Sequence, residues 1–73
     1  MEDINSRLIK LINKTWEVIG KYPTEIHLGE EEYNKLIEYI KYWWSKQPED
    51  YNNFTFAGCK VIKVNVKNYL LAK

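Results

Sequence analysis

The sequence predicts a small α+β domain in which two helices pack on one face of an antiparallel sheet, in the order helix, strand, helix, strand, strand. Three observations predict it. Apolar residues recur at helical spacing between Asp3 and Ile19, recur again between Tyr33 and Trp44, and alternate with polar residues between Phe54 and Val66. The 73 residues hold one such domain, expected over 1–73, with no room for a second core.

The first helix is expected over 3–19. Ile4, Leu8, Leu11, Ile12, Thr15, Trp16 and Ile19 share one helical face, and Asp3 stands where an N-cap belongs. Gly20 occupies the position of a left-handed C-cap residue, and Pro23 forbids continuation. Residues 24–28 then alternate as a short strand with Ile26 and Leu28 on its buried side.

The second helix is expected to begin near Gly29, to cover 30–46 and to stop before Pro48. Glu30, Glu31 and Glu32 fall in its first turn, where the positive end of the helix dipole favours carboxylates by about 0.3–1 kcal/mol each. A polar linker from Gln47 to Asn53 leads into a hairpin expected over 54–66. A two-residue loop at Gly58-Cys59 would pair Phe56 with Val61 and set Phe54 opposite Lys63. A three-residue loop, Gly58 to Lys60, pairs Phe56 with Ile62 and Phe54 with Val64, gathers the apolar side chains on one face, and is preferred. The tail, 67–73, is expected to dock back on the core or on a partner.

Composition narrows the function. Hydrophobic residues at 45% and aromatics at 15% mark a folded domain. Eleven basic against ten acidic residues argue against a nucleic-acid clamp and equally against an acidic mimic of DNA. No apolar run approaches the roughly 20 residues of a membrane span. Met1 to Asn5 lacks the basic and apolar regions of a signal peptide, so a cytoplasmic setting with a reduced thiol is expected. The single cysteine excludes an intrachain disulfide, and one cysteine with one histidine falls short of a structural zinc site. A domain below about 80 residues often needs such a staple, which leaves a dense core or self-association.

Catalytic chemistry is not legible. Cys59 is read as a turn residue at the hairpin tip and His27 as a solvent-facing strand residue, and nothing in their spacing asks them to meet. The carboxylates look solvated, and the three glycines stand apart rather than forming a phosphate loop. No catalytic residue, cofactor or metal ligand is assigned, and a non-enzymatic protein is expected.

The second helix carries the unusual feature. Tyr33, Leu36, Ile37, Ile40 and Trp44 make a core face at 100° per residue, yet Tyr39, Tyr42 and Trp43 extend the apolar and aromatic arc to roughly 220°. A helix on a two-layer domain needs a stripe only somewhat over about 100°. The surplus face, Lys35, Tyr39, Tyr42 and Lys46 with Trp43 between it and the core, is the candidate interface. The plainer alternative is that the tyrosines line the core edge with hydroxyls in water. A protein, either a second copy or a host protein, is the first expected partner. A small anionic ligand, with a base on a ring and a phosphate on an ammonium, is the second.

Residues Pro23-Thr24-Glu25-Ile26-His27-Leu28-Gly29-Glu30-Glu31-Glu32-Tyr33 and Phe56-Ala57-Gly58-Cys59-Lys60-Val61-Ile62-Lys63-Val64 resemble small accessory proteins of phages and prophages. In those, an extended segment leads into an acidic helix bearing Glu-Tyr, and a later Phe-x-Gly precedes a valine-rich strand. The resemblance implies stoichiometric binding in a host cytoplasm, for instance as an anti-CRISPR or other antagonist of a host defence protein. Two other roles stand beside it: a module sequestering a nucleotide-type ligand, and a structural part of a virion.

Overall fold

Asp3 caps the first helix through its side chain, which accepts the Ser6 N–H at 2.8 Å, and α1 runs Ile4–Ile19. Gly20 ends it at φ 73°, its N–H donating to the Trp16 carbonyl at 2.8 Å. The computed structural model describes residues 3–73; Met1 and Glu2, part of the domain expected over 1–73, lie outside the described residues. The chain continues through β1 (Glu25–Leu28), α2 (Glu30–Trp43), β2 (Thr55–Phe56), β3 (Cys59–Lys63) and β4 (Leu70–Ala72).

The sheet is mixed, in the order β2-β3-β1-β4, rather than antiparallel throughout. β1 lies parallel to β3, and the two outer pairings, β1 with β4 and β2 with β3, are antiparallel. The expected order of two helices and three strands did not count the tail, which supplies a fourth. α2 returns the chain along the sheet, so β3 runs in the same sense as β1, as a helical crossover requires. The segment after β3 then reverses, and the tail enters on the free edge of β1.

Registered partners point to the same face. Ile26 sits between Val61 and Ala72, and Phe56 faces Cys59. These five are buried, and all but Ala72 join one core cluster with Leu28, with Ile4, Leu8 and Ile12 of α1, and with Tyr33, Leu36 and Ile40 of α2. Both helices therefore cover one sheet face. The other presents Thr55, Lys60, Glu25, Ile62, His27 and Leu71.

The core claims only the first part of the apolar face of α1. Trp16 and Ile19, expected inside, are 52% and 50% exposed. The helix continues past Ile12 for seven residues, about 10 Å at 1.5 Å per residue, beyond the layer that covers Ile4, Leu8 and Ile12.

The hairpin differs from both loops considered. Its two central residues are Ala57 and Gly58, with φ 52° and 81°, so Phe56 pairs with Cys59 and Thr55 with Lys60. Two successive positive φ values describe the type I′ turn, whose twist matches that of the flanking strands. That local preference outweighs the neater apolar register. Cys59 is thereby a fully buried strand residue and not a turn residue, Val61 is the core valine, and Ile62 faces the open side. The strand stops at Lys63, short of Val64 and Val66. Val64 N–H still reaches the Leu28 carbonyl at 2.8 Å, and beyond it the chain turns.

α2 ends at Trp43, three residues before the expected limit. Trp44 adopts an extended conformation, φ −80° and ψ 130°, and lays its ring parallel to that of Phe56 at 6.3 Å. Gln47 folds back so that its amide donates to the carbonyls of Ile40 and Trp44 at 2.9 and 2.8 Å. The Ile40 carbonyl also receives the Trp44 N–H at 3.0 Å, while the Trp44 carbonyl, whose helical donor would be Pro48 with no N–H to give, takes the Gln47 amide instead.

Candidate functional site

Turning α2 by 100° per residue sends Tyr33, Leu36 and Ile40 inward and leaves Lys35, Glu38 and Tyr42 in solvent. Tyr39 and Trp43 stand on the border between the two sides. The start of α1 lies alongside that border, so Asp3, Ile4 and Arg7 form the facing wall of an open groove of about 670 Å³. Lys35, Glu38, Tyr39, Tyr42 and Trp43 form the other wall.

Four of the five residues expected at the interface meet there. Tyr39 is half-buried and packs against the core cluster, its ring 6.3 Å from that of Trp43. Tyr42 and Trp43 are 79% and 66% exposed and meet edge to face at 4.9 Å and 72°. The plainer alternative, tyrosines lining the core edge, describes Tyr39 and fails for Tyr42. Lys46 does not join them. With α2 ending at Trp43 it lies on the following loop, where it lines a separate depression with Trp44, Gln47 and Phe54.

Asp3, Arg7 and Glu38 of the groove were not foreseen. Asp3 was read only as a cap, and Arg7, the single arginine of the chain, fell on the polar side of the first helix. No local pattern says which neighbouring helix such a side will face.

Arg7 also belongs to a polar cluster that fastens α1, α2 and the segment before β4. Its Nη2 lies 3.8 Å from Glu32 Oε2, and that carboxylate accepts the Tyr69 N–H at 2.9 Å and the Asn68 amide at 3.1 Å. Glu32 is only 4% exposed, so the acidic triplet does more than meet a helix dipole from solvent. Burial by itself would raise its pKa. The Tyr69 and Asn68 donors, its own N–H and Arg7 together overcome that and hold it below its ordinary value. Backbone carbonyls of Val66, Lys67 and Tyr69 accept the N–H groups of Glu30, Glu31 and Gly29 at 2.8–3.0 Å, closing the open end of α2. The α2 wall of the groove thus starts from a fixed turn.

Cys59 and His27 stand on opposite faces of the sheet. The Cys59 thiol donates to the Pro23 carbonyl at 3.2 Å, and burial pushes its pKa up, which keeps it protonated and a poor nucleophile. His27 is less open than expected, with its side chain 17% exposed and Nε2 3.1 Å from Glu25 Oε1. Among the described residues no group of three or more His, Cys, Asp or Glu side chains is placed to hold a metal ion, and no helix is long and apolar enough to cross a membrane.

The chain matches no protein-family model, no curated protein and no solved structure. What the groove offers chemically is read from its own walls. Among the described residues it holds two carboxylates, two cations and three aromatic side chains, and no nucleophile paired with a base.

Proposed function

We propose that this protein is a non-catalytic binding domain that engages another protein through the groove between the start of α1 and the outer side of α2. One observation carries the reading: Tyr42 and Trp43 stand in solvent, 79% and 66% exposed, while touching each other. Rigid aromatic anchors of this kind dominate contact energies because they bury a large area at small cost in side-chain entropy. Half-buried Tyr39 forms the floor that keeps Trp43 in place.

The charge of the walls favours a protein over a small anion. Asp3 and Glu38 offset Arg7 and Lys35, so the groove presents a mixed rim around an apolar centre, as protein interfaces do. An anion site would concentrate donors without carboxylates among them. In the phage setting that the resemblance implies, such a surface would serve a stoichiometric antagonist of a host protein.

Affinity capture from cell extract, run in parallel with wild type and Tyr42→Ala/Trp43→Ala, tests the proposal. Loss of a stoichiometric partner from the double variant, with its fold intact by circular dichroism, is the expected result. Identical captured proteins from both baits would overturn it.

A further inference from the structure

The groove is not electrically uniform along its length. Arg7 sits at the start of α2, its Nη2 3.8 Å from the buried Glu32 carboxylate, about 15 Å of helix before Tyr42. Lys35 stands about 10 Å before Tyr42, and Glu38 lies between the two, about 6 Å before the ring and on the same side of α2. Both cations therefore occupy one end. At the other end, Glu38 is the charge of the α2 wall nearest to Tyr42 and Trp43.

The backbone adds to that polarity. Tyr42 and Trp43 belong to the last turn of α2, at the negative end of the helix dipole. Lys41, the lysine of that turn, is directed elsewhere, its Nζ 5.4 Å from the centre of the Tyr51 ring, which does not line the groove. On the α1 wall, Asp3 accepts the Ser6 N–H through Oδ1, and Oδ2 remains an acceptor.

We propose that this end of the groove takes an arginine side chain of the partner, its guanidinium stacked on the Tyr42 and Trp43 rings and donating to Glu38 and Asp3. The assignment rests on the reading of the groove as a protein contact. The two exposed rings are turned 72° apart, so a cation can meet a π face from more than one direction. An ammonium holds its water strongly and stays hydrated in so open a groove. A guanidinium is weakly hydrated, lies flat on an aromatic face and keeps its N–H groups for carboxylates.

The probe is N-acetyl-arginine amide, titrated at constant ionic strength while the indole N–H resonances of Trp43 and Trp16 are followed by NMR. Trp43 should shift and saturate with a dissociation constant on the order of 10 mM, the range expected of a single side chain. Trp16, an exposed ring on the far half of α1, should stay in place. The neutral isostere N-acetyl-citrulline amide should leave Trp43 unmoved, and N-acetyl-lysine amide should bind more weakly. Asp3→Asn, which keeps the helix cap, combined with Glu38→Gln should weaken arginine binding about fivefold. Lys35→Gln should strengthen it. An unmoved Trp43, an equal response to citrulline or lysine, or indifference to Asp3→Asn/Glu38→Gln would overturn the assignment. The protein contact itself survives those results if Tyr42→Ala/Trp43→Ala still loses the captured partner. Retention of the partner by that variant overturns the groove as well.

Discussion

The Glu32 carboxylate accepts the backbone N–H of Tyr69 at 2.9 Å, joining the first turn of α2 to the entrance of β4 across 37 positions of chain. Among the described residues Glu32 is the one buried charged side chain, and its position beside Arg7 ties the groove to the sheet. Replacing it by alanine strands the Tyr69 donor and the Asn68 amide. Glu32→Ala should lower the unfolding free energy by about 2–3 kcal/mol in urea titration, and Glu32→Gln by less. Because the folded-state pKa is depressed, this stabilisation is complete above the ordinary value of 4.5 and fades as pH falls through the lower folded value. Stability measured between neutral and acid pH should therefore fall more steeply in wild type than in Glu32→Gln. Parallel curves would contradict the assignment.

Gly29 lies at the same junction. A β-carbon there would stand 2.6 Å from the Tyr69 nitrogen and 2.8 Å from the Asn68 carbonyl carbon, both backbone atoms that cannot rotate aside. Gly29→Ala should cost about 2–3 kcal/mol, measured by the same titration. A loss below about 0.5 kcal/mol, the range of ordinary surface substitutions, would show that the segment is not clasped against α2.

Ala57 holds φ 52° in the hairpin turn, a conformation that β-carbons disfavour by about 1–2 kcal/mol. Ala57→Gly relieves it and should raise stability by about 1 kcal/mol, which for a domain of this length is a rise in Tm of about 4–8 °C. A fall in Tm in a calorimetric scan would place the turn elsewhere.

These junctions also mark where the residue pattern stopped being informative. Caps act within four residues, so Asp3, Gly20 and the ends of α1 and β1 were legible from spacing. The direction of β3 depends on partners 35 residues away and the strand character of Leu70–Ala72 on partners 42–46 residues away, and no local periodicity records them. The hairpin register failed for a related reason: alternation at Ile62, Val64 and Val66 promised a buried face, while the Ala57-Gly58 turn imposed a different one. The surplus aromatic arc of α2 was legible because a helix shows how much apolar circumference it carries. Which part of that arc would be covered was decided by Trp44 leaving the helix to stack on Phe56, and by α1 arriving beside Tyr39. The same limit applies to α1, whose apolar face reads as continuous while the core beneath it ends near Ile12.

Hydroxyl-radical footprinting of the protein alone and with a captured partner is the most direct test of the groove as a recognition surface. Tyr42 and Trp43 should oxidise rapidly in the free chain and become protected in the complex, with Trp16 unaffected by the partner. Unchanged oxidation of Tyr42 and Trp43 in the complex would contradict the central claim.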